Sequence, residues 1–183
     1  MTLTTIHRID ADDHITFLDD GFRRQAKDAG VPDLPAEIMG KNLFLYLAGQ
    51  LTHLWYHLLL ERARQGVEIS FPFRCDSPAL RRELQMVMRP IEYNGVEFES
   101  RPIVEAPRPF TPLLDPTIAR GLQTVTMCAW CKRLRSVIGW LEVEQAATIL
   151  QAFTEPLPPN IDYGICVDDE NRLKALVGRN IDR

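Results

Sequence analysis

Residues 84–101 place the tightest limit on what this chain can fold into. Leu84, Met86 and Met88 alternate with Gln85, Val87 and Arg89; beyond Tyr93-Asn94-Gly95, Val96 and Phe98 alternate with Glu97, Glu99 and Arg101. A period of two sends successive side chains to opposite faces of a strand. Asn-Gly between two such runs is the strongest short-range hairpin signal. The chain therefore contains an antiparallel sheet with one dry face and one charged face, and the remaining elements must cover the dry one.

Before this hairpin, Ile6-His7-Arg8-Ile9 and Ile15-Thr16-Phe17-Leu18 flank Asp10-Ala11-Asp12-Asp13-His14. Two β-branched or aromatic runs around a cluster of turn formers read as a second hairpin. Asp19-Asp20 offers caps for a short helix over 21–29 that Gly30 and Pro32 end. From Pro35 the pattern turns helical, with Phe44, Leu47, Leu51, Leu54 and Leu58 on one predicted face and Gly66 closing it. Val67 to Phe71 begins another strand. Hairpin, short helices, one longer helix and three antiparallel strands describe a small α+β domain whose sheet carries helices on one face.

Pro107, Pro109, Pro112 and Pro116 mark a linker and close the first domain near residue 105. The expected organisation is a domain over 1–105, a Pro-rich linker over 106–126 and a helical cysteine-bearing extension over 127–183. In the extension, Val143, Ala146, Leu150 and Phe153 mark one amphipathic helix. A last helix starts at Asp168 or Asp169 and turns Leu173, Leu176 and Val177 inward.

With 183 residues, 45% hydrophobic and 25% charged, the chain has the make-up of an ordinary globular protein. Its net charge of −4 argues against a nucleic-acid footprint. No apolar run approaches the roughly 20 residues that span a bilayer, and the first residues carry no apolar signal core. A soluble, cytoplasmic protein is expected, and in that compartment paired cysteines more often bind metal or do redox chemistry than form structural disulfides.

Residues 9–18, together with Ile38-Met39-Gly40-Lys41-Asn42-Leu43, resemble the opening hairpin and inter-helix segment of PAS-like sensory domains. Further stretches are similar to a narrower group of uncharacterised bacterial PAS-like proteins. They are Arg74-Cys75-Asp76-Ser77-Pro78 with Arg81-Arg82, Met127-Cys128-Ala129-Trp130-Cys131-Lys132, Trp140 to Glu144, and Gly164-Ile165-Cys166. The resemblance covers about residues 5 to 170. It implies a PAS-like sheet with helices on one face and a regulatory, non-enzymatic role. It further implies a small-molecule ligand or partner signalling protein and a homodimer. Similar proteins commonly end this last stretch in Gly-Ile-Cys-Pro-x-Cys; here Val167 replaces the proline and Asp169 the final cysteine.

Three places could carry chemistry. Cys128, Cys131 and Cys166 are thiolate ligands for a tetrahedral zinc, with Asp169, Asp168 or the distant Cys75 as the fourth. Alternatively they are a redox-sensing set, with Lys132 and Arg133 favouring thiolate, or small buried apolar groups. His53 and His57, at i and i+4 on the longer helix, are candidate ligand-binding residues. PAS-like haem sensors take an axial histidine from the corresponding helix, but nothing here defines a porphyrin pocket, and neither haem nor flavin is expected. Arg74, with Asp76, Arg81 and Arg82, suits a carboxylate or phosphate ligand, or equally an internal ion pair. No phosphate-binding loop, nucleophile elbow or His-Glu-x-x-His pair is present.

Overall fold

The computed structural model describes residues 3–149 and 157–178. They form two compact units. The first comprises residues 1–47, 53–73 and 83–105, and the second 48–52, 74–82 and 106–183. No helix among the described residues is long and apolar enough to cross a membrane.

The first unit opens on the hairpin of β1 (Thr5–Ile9) and β2 (Ile15–Leu18). Its turn is built by Asp10, whose Oδ1 accepts from the backbone N–H of Asp12 and of His14, each at 2.9 Å. Helix α1 (Asp20–Asp28) is capped by Asp19, which accepts from Phe22 N at 2.7 Å. Then come α2 (Leu34–Ile38), a 3₁₀ turn over Leu43–Tyr46, α3 (Gln50–Arg64), β3 (Ile69–Arg74), β4 (Leu80–Ile91) and β5 (Gly95–Pro107). The five strands make one sheet in the order β2-β1-β5-β4-β3, with β1 antiparallel to both neighbours. The protein is thus mixed α+β, with an antiparallel sheet and a few helices.

The alternation holds except at Val87, which the period of two puts on the polar face but which is buried. Val96, Phe98 and Ser100 are buried, and Leu84, Met86 and Met88 join them. On the other face Arg8 reaches Glu97 at 2.8 Å, while Arg89 reaches Glu68 at 2.8 Å and Glu99 at 2.6 Å. Such exposed pairs add little stability, but they keep that face in water and so fix the register.

The turn differs from the Asn-Gly expectation by one residue. Tyr93 (φ 57°) and Asn94 (φ 60°) take the left-handed positions, and Gly95 already belongs to β5. Glycine is needed there for close approach instead: a Cβ would lie 2.7 Å from the Ile9 carbonyl oxygen.

The long helical face also needs correction. The chain breaks before α3, with Gly40 (φ 74°) and Gly49 (φ 91°) in the left-handed region, so Phe44 and Leu47 do not share a helix with Leu58. The face that α3 buries holds Thr52, Trp55, Leu59, Leu60 and Ala63, while Leu51 and Leu54 are exposed.

His7 stacks on Phe98 with ring centroids 4.5 Å apart. Burial lowers its pKa from 6.5 to about 4, against an opposing pull from Asp19. The unfolded chain therefore takes up this proton first. The stability that depends on neutral His7 is whole above about pH 6.5 and drains away as the pH falls toward 4. His7→Phe should flatten that acid limb by about 2 kcal/mol, less than the full shift because the ring edge still meets solvent. Urea unfolding from pH 7 to pH 4 checks this, and an unchanged acid limb would contradict it.

The second unit is not the helical extension that the sequence suggested. It holds a four-stranded sheet in the order β8-β7-β6-β9, from β6 (Thr124–Cys128), β7 (Leu134–Ser136), β8 (Gly139–Leu141) and β9 (Asn160–Gly164). Strands β6 and β9 run parallel, and the other pairs are antiparallel. Helices α4 (Val143–Ile149) and α5 (Val167–Val177) complete it. Met127, Leu134, Val143, Ala146 and Leu113 form its core. Leu113 comes from the Pro-rich stretch, which is therefore folded against the module and not a free linker. Val143 and Ala146 point inward as the amphipathic pattern requires; Leu150 and Phe153 lie outside the described residues. Strands β7 and β8 were missed because three residues are too few to show a period.

Candidate metal centre

Cys128 is the last residue of β6, and the chain turns back at once through Ala129-Trp130-Cys131 into β7. Cys128 N donates to Arg133 O at 2.8 Å, and Lys132 N donates to Cys128 O at 3.0 Å. Lys132 takes a left-handed φ of 59° to close the turn. The parallel pairing sets Cys128 opposite Gly164. Ala129 N donates to Gly164 O at 2.9 Å, which ties the cysteine turn to the end of β9. Two residues on, Cys166 caps α5 by accepting from Asp169 N at 3.4 Å. Asp168, Asp169 and Glu170 fill the first turn, where acidic groups suit the helix dipole.

This framework brings Cys128, Cys131, Cys166 and Asp169 together, with their ligand atoms all within 4.8 Å of one another. Cys131 Sγ and Cys166 Sγ are 3.7 Å apart. Asp169 Oδ2 lies 3.2 Å from Cys128 Sγ and 3.1 Å from Cys166 Sγ. A zinc ion with bonds of about 2.3 Å to sulfur and 2.0 Å to oxygen sets tetrahedral edges of about 3.8 Å between sulfurs and 3.5 Å from sulfur to oxygen. The three separations above lie within about 0.4 Å of these edges, and no pair in the group is more than 4.8 Å apart. Cys128, Cys166 and Asp169 are buried, and Cys131 is half-buried.

Donors surround the cluster as a metal-thiolate group would need. Cys166 N points at Cys128 Sγ from 3.4 Å. Arg133 donates to Cys131 Sγ through Nε and to Cys166 Sγ through a terminal nitrogen, both at 3.2 Å. Arg172 holds Asp169 Oδ1 at 2.7 Å, which leaves Oδ2 to the thiols. Three thiols and a carboxyl packed this tightly cannot all ionise unless a cation balances them. Hydrogen bonding to Cys131 and Cys166 pushes the Cys128 thiol up, and burial pushes the Asp169 carboxyl up. Hydrogen bonding from Cys128 and Cys131 draws Cys166 down.

The structure thus selects among the candidate fourth donors. Asp169 faces the thiols. Asp168 turns outward and pairs with Arg133 at 2.7 Å. Cys75 lies outside the converging group; its sulfur is 3.8 Å from an Arg82 nitrogen.

The other candidate residues have internal roles. His53 donates through Nε2 to the Leu47 carbonyl at 2.8 Å, and His57 stacks on Phe44 at 4.0 Å. Phe44 also meets the His53 ring edge-on at 5.4 Å. Their shared face serves aromatic packing, and neither belongs to a converging ligand group among the described residues.

Arg74 is likewise committed. Its guanidinium pairs with Asp76 and, at 2.5 Å, with Glu142. Asp76 has no exposed side-chain surface and also receives Arg108 at 2.8 Å. Arg108 in turn reaches Glu144 at 2.7 Å. An external carboxylate or phosphate would have to displace these partners, so the Arg74 expectation is corrected to an internal ion pair. The same residue anchors the cysteine turn through its backbone, donating from Arg74 N to Trp130 O at 2.7 Å. Sequence reasoning noticed Arg74, Asp76 and Arg133 but missed the roles of Arg108, Glu142 and Arg172. Arg133 carried a local signal, its place beside the second cysteine.

Compared with known proteins, the chain matches no family model and no curated sequence.

Proposed function

We propose that the second unit binds one zinc ion through Cys128, Cys131, Cys166 and Asp169, and that this ion is structural. The convergence of the four ligand atoms carries the reading. Three thiolates suit zinc over harder cations. Three of the four donors are buried and no donor position is left for water, as in closed structural sites and unlike catalytic ones. The bound ion would join the β6–β7 turn to the start of α5.

The test is metal analysis of purified protein, with zinc or cobalt(II) titration under reducing conditions. One ion per chain is expected, with tetrahedral thiolate bands for cobalt. Asp169→Ala should weaken binding by more than the roughly 10- to 100-fold that loss of an outer-shell partner costs. Asp169→Cys should retain the ion. Absence of stoichiometric metal, with three freely reactive thiols, would end the proposal.

For the chain as a whole we propose a PAS-like regulatory protein that signals by protein contact and is not an enzyme. Its support is the element order of the first unit: hairpin, helices, then β3, β4 and β5 in the same sheet. A homodimer in solution is expected, and sedimentation equilibrium checks it. A monomer at all concentrations would count against that part of the reading.

A further inference from the structure

We infer that the metal centre is a peroxide-responsive clasp, in which Cys131 and Cys166 join as a disulfide and release the ion. The inference rests on the zinc reading and adds a way of opening the site. The three sulfurs are not equivalent. Cys128 and Cys166 are 0% and 1% exposed, whereas Cys131 is half-buried and is the sulfur an oxidant can reach. Its neighbour Cys166 Sγ lies 3.7 Å away, and Arg133 spans the two with 3.2 Å contacts to each. Cys128 sits at the buried end beside Asp169, held by the hydrogen bonds that close its turn. The partners singled out are thus the exposed sulfur of the Cys-x-x-Cys pair and the cap of α5.

The chemistry balances with hydrogen peroxide as oxidant. The Cys131 thiolate attacks one peroxide oxygen, the O–O bond breaks and hydroxide leaves, which makes a sulfenic acid. The Cys166 thiolate then attacks that sulfur, the S–O bond breaks and a second hydroxide leaves. The two sulfurs lose two electrons, the peroxide gains them, and two solvent protons complete two waters. The ion is left with Cys128 and Asp169 alone, and two donors do not hold zinc against water. A dithiol reverses the step.

The experiment uses the full chain loaded with one equivalent of zinc in metal-free buffer. Hydrogen peroxide is added, released zinc is followed with a colorimetric chelator, and the linkage is mapped by tandem mass spectrometry after alkylation and digestion. The expected result is one zinc released per disulfide, a Cys131–Cys166 linkage, and renewed binding after dithiol reduction. Zinc retained while peroxide is consumed would overturn the inference. So would release with a Cys128–Cys131 linkage, or with sulfinic acid and no disulfide. A chain that takes up no zinc before peroxide is added would remove the metal reading itself, and this inference with it.

Discussion

Cys128→Ala is expected to abolish stoichiometric zinc binding and to unfold the second unit at a much lower temperature than the parent protein. Losing an outer-shell partner already weakens a metal by about 10- to 100-fold, and a lost ligand must cost more. Ion binding at 1,000 times its dissociation constant contributes about 4 kcal/mol of stability. At roughly 4–8 °C per kcal/mol for a unit of this size, its loss should lower Tm by some 15 °C or more. A strong zinc chelator added to the parent protein should produce a shift of the same sign and similar size. If the cysteines were only small buried apolar groups, Cys128→Ala would cost about 1 kcal/mol and the chelator would do nothing. Differential scanning calorimetry with and without chelator separates the two outcomes.

Asp76→Ala should be nearly as damaging, for an electrostatic reason. Asp76 has no exposed side-chain surface, and Arg74 and Arg108, at 6% and 3% side-chain exposure, both pair with it. Removing it leaves two buried guanidinium groups facing each other with only Glu142 and Glu144 to balance them. Breaking a buried pair by deleting one partner costs about 3–5 kcal/mol. Guanidinium chloride unfolding should show that loss. Because Arg74 also donates to the Trp130 carbonyl inside the cysteine turn, the variant should weaken zinc binding too. A loss below 1 kcal/mol would show that Glu142 and Glu144 suffice for the two arginines.

The first unit was legible where physics is local. Alternation around 84–101 gave β4 and β5 their inward residues, and Asp19 announced the cap of α1. The helix face failed because the chain breaks at Gly49, between Phe44 and Leu58, and a hydrophobic period says nothing across such a break. The second unit was less legible. Strands β7 and β8 are too short to display a period, and Leu113 and Arg108 lay hidden in a proline-rich stretch. Asp76 was a local partner for Arg74, but Glu142, which completes its pairing, and Arg108, which shares Asp76, are remote in sequence.

At the candidate metal centre the division is sharpest. The sequence alone named three thiols, a Cys-x-x-Cys pair in a turn and Cys166, and left the fourth donor open among Asp169, three residues after Cys166, Asp168 and Cys75. Those spacings are local, and a single turn of chain enforces each. Cys128 and Cys166, however, are separated by 38 positions. Only the parallel pairing of β6 with β9 brings the two halves to the same end of one sheet. That pairing packs Ile161 and Tyr163 of β9 against the core of Met127, Leu134 and Val143, a non-local balance of burial against chain entropy. Local spacing offered the candidate donors, and the tertiary fold decided which of them meet.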